Sequence, residues 1–287
     1  MLSELKELWK FRELLLVMVE RELKIRYKNS VLGFLWSMLN PLITVLVMSF
    51  VFKNFLGNQR VGSATAYILA AYLPFTFFQL CLMDSAQSIL VAMPLIKKIY
   101  LPREILPIAS VISNFVHLLM ALLMFFLYLL VVYLVFPGSW PMQITSLYLP
   151  LLLLINFALS LGLSFYVCAF NTFYQDVKYI VGVLTYLMFF LCPILYFEER
   201  VANTPLNIEW GGRLYMLMNL NPVFSLSNAY RKLLIAPIKI PLDEHHLIDP
   251  LPLDWRYVWW AAFVSFFILV TGYSTFNKLK WRFVERP

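Results

Sequence analysis

Charged residues are scarce in this sequence, at 14% of its 287 residues, whereas 61% of the residues are hydrophobic. A soluble domain carries about 25% charged and about 45–50% apolar residues. The composition therefore argues against an ordinary soluble protein and predicts an integral membrane protein. The length accommodates roughly six membrane helices of about 20 residues each, together with their loops.

Recognisable catalytic motifs are also missing. The sequence contains no GxSxG, no HExxH and no GxxxxGK[ST] pattern. Without the last of these, the P-loop, this chain is not expected to hydrolyse ATP itself, and any ATP drive must come from a second polypeptide. We expect no cofactor in this chain. The net charge of +7 does not indicate a nucleic-acid partner, because basic residues of membrane proteins gather at cytoplasmic helix ends.

Metal-binding and disulfide patterns are weak. Cys81, Cys168 and Cys192 lie scattered in apolar runs without CxxC spacing, which predicts small buried hydrophobic residues. His245 and His246 are adjacent in a polar stretch, a pattern more typical of solvated loop residues than of metal ligands. Charged residues recur through the first thirty or so positions, before the first apolar span begins. This pattern does not fit a cleavable signal peptide.

The N-terminal region (1–32) is predicted to form an amphipathic helix. Phe11, Leu15, Val19 and Leu23 recur on one face, and charged residues occupy the other. Such a helix lies in the plane of the lipid headgroups with its basic face toward anionic lipid. The alternative is a plain basic flank that sets topology.

The transmembrane domain (33–277) is predicted to be all-α with six spans. Asn40-Pro41 interrupts the first span and Cys192-Pro193 the fifth, because proline removes a helix hydrogen bond. The predicted spans are 33–53, 66–90, 108–135, 147–169, 180–197 and 257–276.

Two connecting segments carry further predicted helices. Pro94 and Pro102 bracket a short helix at 94–101 whose apolar face predicts a contact site. The segment 198–255 contains two semi-apolar stretches, Leu214–Leu220 and Phe224–Ile235, predicted as short helices that dip into the outer face of the membrane. A polar insert at 237–253 follows them.

Basic residues predict the orientation. They concentrate in the N-terminal region, in the loop between the second and third spans, and in the tail 278–287. The positive-inside rule then places both termini in the cytoplasm of a multi-pass protein.

Ionisable residues within the spans are few. Asp84 and His117 are the examples. A carboxylate at mid-membrane costs on the order of 3 kcal/mol, so Asp84 should face protein or water. Both residues are more typical of helix packing or of the interface than of a proton relay. An ion-coupled carrier or channel generally has more such groups, which disfavours that class.

Four motifs together resemble the permease subunits of type-2 ABC exporters, in their polysaccharide-export branch, which moves O-antigen, capsule or teichoic acid. They are RELKIRYKNSVLGFLW (21–36), LIKKIYLPREILP (95–107), NTFYQDVKYIVG (171–182) and the C-terminal FVERP. Their order and spacing along essentially the whole chain match that family.

The resemblance implies roles for particular segments. The N-terminal helix would border the substrate entrance at the cytoplasmic interface, the 94–101 helix would couple to the ATPase, and the outer helices of 198–255 would be re-entrant. It also implies a homodimer with two copies of a P-loop ATPase subunit, which binds ATP and Mg²⁺, and a location in the bacterial inner (plasma) membrane. The residues assigned to ATPase coupling are Leu95, Ile96, Lys97, Lys98, Ile99, Tyr100 and Arg103.

The implied cargo is a glycan carried on a polyprenyl pyrophosphate. A pyrophosphate needs cationic and donor groups at the cytoplasmic interface, and Arg26, Tyr27, Lys28 and Asn29 are assigned there. Aromatic faces offer weak repeated contacts to sugars. The candidates for lining the channel are Phe34, Trp36, Tyr186, Phe189 and Phe190, which could equally pack against lipid or helices.

Two other functions remain open from the sequence. The same fold could export a small drug or antibiotic, although the N-terminal helix and the aromatic spans disfavour this. A membrane-embedded enzyme acting on a lipid-linked sugar would be favoured by paired acidic residues beside the spans, and none occurs on the predicted cytoplasmic side.

Overall fold

The computed structural model describes residues 9–27, 39, 43, 46–47, 50, 64–98, 101–135, 143–237, 240–241 and 247–284. These residues are mainly helical, as the composition predicts. The α-helices are α1 (Arg12–Tyr27), α2 (Ala64–Ile96), α3 (Ile105–Val135), α4 (Leu149–Phe173), α5 (Val177–Leu191), α6 (Glu198–Ala202), α7 (Pro205–Glu209), α8 (Arg213–Leu220), α9 (Pro222–Leu234) and α10 (Trp255–Leu279). The 3₁₀ helices are η1 (Ile144–Tyr148) and η2 (Lys280–Val284), and the antiparallel strands are β1 (Ile240–Pro241) and β2 (Leu247–Ile248).

Four helical segments in the described ranges are long and apolar enough to cross a membrane: Ala66–Ile96, Ile105–Leu134, Ile144–Phe173 and Trp255–Phe283. They coincide with the predicted spans 66–90, 108–135, 147–169 and 257–276. The predicted first span, 33–53, lies almost entirely outside the described residues. The prediction of an all-α membrane architecture is thus confirmed at this coarser level.

The fifth predicted span, 180–197, is shorter than expected. Helix α5 has 15 residues and is therefore about 22 Å long, against a hydrocarbon core of about 30 Å. It ends at Leu191 because Pro193 follows Cys192, whose backbone is extended (φ −81°, ψ 148°), as the residue before a proline prefers. The residues 192–197 are turns and bends rather than a continuation of the helix.

Helix α2 is the central helix and contacts α3, α4, α5 and α9. Its Ala70, Ala71, Cys81 and Ala86 are completely buried, and such small side chains allow neighbouring helices to approach closely. Helices α3 and α10 instead expose large apolar side chains along one face, as membrane-facing helices do. The exposed side chains include Leu119, Leu123, Leu127, Trp259, Phe263 and Phe267.

The two ends of this bundle are different. At one end, which we name the α1 end, α1 and residues 101–104 meet η2 and the ends of α2 and α4. At the other, which we name the α9 end, α9 packs on the start of α2, on η1 and on the start of α10. Helix α9 begins with Asn221-Pro222, where the Asn221 side chain accepts a hydrogen bond from the backbone N–H of Val223 at 3.0 Å, a favourable N-cap followed by proline at the first helical position.

The predicted separate helix at 94–101 is wrong in its start. Helix α2 runs without interruption through Pro94 and ends at Ile96, and Lys97 and Lys98 form the turn that follows. A proline inside a membrane helix removes one hydrogen bond, which packing can offset. The helical turn around Pro94 is stabilised by packing. Ala92 is buried in an apolar cluster at the α1 end, and Leu95 and Ile96 pack against that cluster. Ile99 and Tyr100 lie outside the described residues.

The segment 198–255 is more helical than predicted. Helices α8 and α9 match the two predicted stretches closely, but α6 and α7 precede them. Each of these extra helices has only five residues, too short for a periodic apolar pattern to reveal it. The insert 237–253 contains the β1–β2 pair.

Candidate transport sites

The apolar face of α1 is seated on the bundle. Met18 and Val19 are buried in a cluster with Ile105 and Ala109 at the start of α3. Phe11, Leu15 and Leu23 pack beside them, so the predicted apolar face is confirmed. Leu16 and Val17 are exposed on the opposite side, where an interfacial helix would meet lipid.

A cavity of about 440 Å³ lies beneath α1, between α1, α2 and α3. Its charged lining consists of Arg21, Glu22 and Asp84. Asn114 donates a hydrogen bond to Asp84 at 2.9 Å, so Asp84 faces protein as predicted. Two carboxylates against one guanidinium make this lining a poor match for a phosphate.

The residues predicted to receive the pyrophosphate lie at and beyond the end of α1. Arg26 and Tyr27 belong to its last turn, but their side chains lie outside the described part of the chain, as do Lys28 and Asn29. Their role stays a prediction. The other ionisable residue within a span, His117, is buried in α3.

The loop after α2 presents two exposed cations. The side chains of Lys97 and Lys98 are exposed, whereas Leu95 and Ile96 turn partly inward. The backbone N–H groups of Lys97 and Lys98 donate to the carbonyls of Met93 and Leu95 at 3.1 and 3.0 Å, which closes the helix end.

The other side of this loop is fastened to the end of α10. Glu104 and Lys280 form an ion pair of 2.5 Å whose side chains are 3% and 11% exposed. The Arg103 guanidinium lies 5.9 Å from the centre of the Trp281 ring. Local sequence reasoning missed this connection, since no pattern pairs residues that are 176 positions apart.

The predicted channel aromatics of α5 separate into two groups. Tyr186 and Phe190 are exposed and contact each other, with ring centres 5.2 Å apart. Phe189 faces inward and packs on Tyr72 and Phe75 of α2 at 6.2 and 5.8 Å. Phe34 and Trp36 lie outside the described residues, and a role in lining a channel stays a prediction for the whole set.

A group of buried charges at the α9 end was not predicted. Glu198 accepts hydrogen bonds from Asn228 and from the Tyr215 hydroxyl, the latter at 3.1 Å, and forms an ion pair with Lys232. Burial raises the pKa of Glu198, and the nearby Lys232 ammonium opposes that shift. Local sequence patterns could not reveal this group, because its members come from separate helices that only the fold brings together.

Arg231 is the central residue of this group and is 1% exposed. Its guanidinium donates to three backbone carbonyls, those of Tyr67 at 3.1 Å, Tyr196 at 2.8 Å and Ile194. It also lies over the Tyr67 ring, 4.2 Å from the ring centre. These contacts connect α9 to the start of α2 and to the turn after α5, and they supply the hydrogen bonds that a buried charge requires.

Metal-ligand groupings do not arise in the described ranges: no three His, Cys, Asp or Glu residues there come together as a metal site would require. The three cysteines are buried and form no disulfide, as predicted. His245 and His246 lie outside the described residues.

Comparisons with known proteins match this helical membrane protein to transporter permeases. A family model described as "ABC-2 type transporter" matches residues 13–234. Two O-antigen export system permease proteins RfbA of Klebsiella pneumoniae are 28% and 27% identical to the chain over 273 residues, which is 95% of this chain and 94% of each relative. The O-antigen export system permease protein RfbA of Myxococcus xanthus is 30% identical over 286 residues, 99% of both chains.

Proposed function

Because this chain belongs to the ABC-2 type transporter family, we propose that it is the membrane-spanning subunit of an ATP-driven exporter of lipid-linked polysaccharide of the O-antigen, capsule or teichoic acid type. One observation carries the proposal: the similarity to O-antigen export permeases extends over 95–99% of the chain. The cargo would move from the cytoplasm across the bacterial inner membrane.

Family membership makes the chain a transporter subunit rather than an enzyme. An ABC permease works with an ATPase partner that hydrolyses ATP. The sequence of this chain contains no P-loop, which agrees with ATP hydrolysis by a separate subunit. ATP and Mg²⁺ would bind that partner. The drug-exporter alternative finds no support in the names of these relatives.

The proposed complex contains two copies of this chain and two ATPase subunits, with the translocation path between the two permeases. The outward face of α5 supports this arrangement. It exposes Tyr186 and Phe190 on a helix too short to cross the membrane unaided, so a second copy would complete its surroundings.

In the proposed orientation the α1 end faces the cytoplasm and both termini lie there. Exposed lysines at this end support it, including Lys97, Lys98 and Lys278. The α9 end, with its proposed re-entrant helices α8 and α9, would then form the outer mouth. Movement of Lys97 and Lys98 by the ATPase would be passed to η2 and α10 through the Glu104–Lys280 pair, as part of a rigid-body transition.

The proposed ATPase contact can be tested by charge reversal. Replacing Lys97 and Lys98 together with glutamate places two anions where we expect an acidic or polar groove of the partner. Like charges across an interface cost several kcal/mol, so ATPase recovered with the tagged permease should fall about tenfold or more. Arg213→Glu, at an exposed position of the opposite end, is the control, and retention of the ATPase by the double variant would contradict this docking assignment.

The role of α1 can be tested by removing residues 2–20. This deletion removes Met18 and Val19, which seat the helix on α3, but leaves every predicted span. We expect normal insertion, measured by accessibility labelling of the loops, and a loss of most glycan export. Unchanged export would contradict a role of α1 in transport and would leave it only the role of a basic segment that sets membrane topology.

The function itself is tested by purification from native membranes in mild detergent, followed by mass spectrometry of bound proteins and lipids. We expect a P-loop ATPase in equal amount and a polyprenyl-linked glycan. An ATPase without such a lipid would contradict the cargo, and recovery without any ATPase would contradict the exporter.

A further inference from the structure

A second cavity, of about 410 Å³, lies at the α9 end. Its walls come from the start of α2, η1 and the residue before it, α6, α9 and residues 250–255. We name residues 250–255 the arm; they join the end of the insert to the first residue of α10. Small-molecule sites generally enclose about 300–1,000 Å³, so the space suits a ligand of one or two rings.

The arm is attached to the cavity wall through two polar contacts. The backbone N–H of Leu251 donates to Glu199 Oε1 at 3.1 Å, and the Lys232 ammonium donates to the Pro252 carbonyl at 3.2 Å. The end of the insert is thereby fixed to α6 and α9. The insert 237–253 therefore contributes to the cavity, because its last residues belong to the arm that closes one side of it.

One polar atom of a residue in this wall lacks a hydrogen-bond partner among the described residues. Glu199 is 1% exposed, and its second carboxylate oxygen, Oε2, has no hydrogen-bond partner among the described residues. A buried charged acceptor without a donor is costly and is therefore a sign of a missing partner. Glu199 lines the cavity, so a turn of its side chain would bring Oε2, which is itself buried, to a donor placed there.

The cations in the wall are already engaged. Arg231 gives its hydrogen bonds to three carbonyls, and Lys232 is paired with Glu198. With Glu198 and Glu199 the charges balance, and the acceptor that remains is a carboxylate oxygen. The cavity is thus suited to a neutral ligand that donates hydrogen bonds, and it is unsuited to an anion.

Aromatic rings complete the lining. Trp255 borders the cavity and is held edge-on against Tyr148, with ring centres 5.2 Å apart. Tyr67 forms another part of the wall. A sugar ring presents hydroxyl donors on its edge and a weakly polar C–H face, which a carboxylate and an aromatic surface recognise together.

We propose that this cavity binds one neutral pyranose unit of the exported glycan at the outer mouth of the permease, with Glu199 accepting from its hydroxyls and Trp255 packing on its face. The inference rests on the proposed function and orientation. It assigns to the arm 250–255 a part in holding the emerging chain.

The test uses the full permease–ATPase complex in lipid nanodiscs and ligand-observed saturation-transfer NMR. The probes are methyl glycosides of glucose, galactose and mannose, with methyl glucuronide as the anionic comparison. The wild type should bind at least one neutral glycoside and bind the glucuronide more weakly. Glu199→Gln and Trp255→Leu should each weaken the neutral glycoside about tenfold or more.

Matched controls are Glu209→Gln and Trp259→Leu, which alter exposed residues of the same types outside the cavity. They should bind as the wild type does, and thermal denaturation should show all four variants to be folded. If the wild type binds none of the neutral glycosides, or if Glu199→Gln binds them unchanged, the inference is overturned.

Glycan export is measured with the same proteins to separate the two proposals. Export by a wild-type complex that binds no glycoside would overturn the cavity assignment alone. A complex that binds glycoside at Glu199 but carries no polyprenyl-linked glycan and exports none would overturn the proposed cargo.

Discussion

Replacing Gly272 with alanine should leave little or no correctly folded protein, because α4 and α10 cross here with backbone against backbone. A Cβ atom on Gly272 would collide with the carbonyl oxygen of Gly162, and one on Gly162 would lie 2.6 Å from the backbone nitrogen of Leu269. Neither obstacle is a flexible side chain, so the helices would have to separate. Overpacking a core costs about 1–3 kcal/mol even where side chains can move, and here a larger loss is expected.

The measurement is the yield of monodisperse protein in detergent together with its thermal denaturation. Gly182→Ala is a matched control, because a Cβ there would meet only the end of Met83, at 3.8 Å. Alanine favours a helix over glycine by about 1 kcal/mol, so this control should be neutral or slightly stabilising. A Gly272→Ala protein with wild-type yield and melting temperature would disprove the close crossing.

Replacing Lys232 with methionine should destabilise the α9 end by about 3–5 kcal/mol, the usual consequence of removing one member of a buried ion pair. The side chains of Lys232 and Glu198 are only 13% and 2% exposed, so water cannot compensate Glu198. The change would also release the carbonyl of Pro252, to which Lys232 donates.

The loss should depend on pH in a defined direction. Burial already raises the pKa of Glu198 above its ordinary 4.5, and Lys232 opposes this, so its removal should raise that pKa further. A carboxyl whose pKa is higher in the folded state than in the unfolded state destabilises the fold least below pH 4.5. Its destabilising effect grows as the pH rises from 4.5 through the folded-state pKa. The difference in melting temperature between variant and wild type should therefore be larger at pH 8 than at pH 5.

A double variant, Lys232→Met with Glu198→Gln, serves as the control. It removes the uncompensated charge while keeping an amide that can bond Tyr215 or Asn228, so it should recover part of the lost stability and lose the pH dependence. Equal melting temperatures for the single variant and the wild type at pH 8 would show that the pair contributes nothing to stability.

Much of the helix pattern was predictable because it depends on local properties. The apolar runs of α2, α3, α4 and α10 are long enough to span a bilayer, and this length needs no knowledge of neighbours. The cap that starts α9 at Asn221-Pro222 is also local, because its chemistry acts within three residues. Pro94 misled the prediction, since a proline starts a helix or lies inside one according to the packing around it.

The sequence by itself determined that this is a helical membrane protein with an amphipathic first helix, because hydrophobicity and its period are properties of consecutive residues. Its motifs also indicated the exporter family. Only the tertiary structure decided which residues meet across the bundle: Gly162 with Gly272, Glu104 with Lys280, and Glu198 with Lys232. It also turned Phe189 inward and Tyr186 outward. These outcomes depend on how helices rotate and pack over long sequence separations, and no local pattern carries that information.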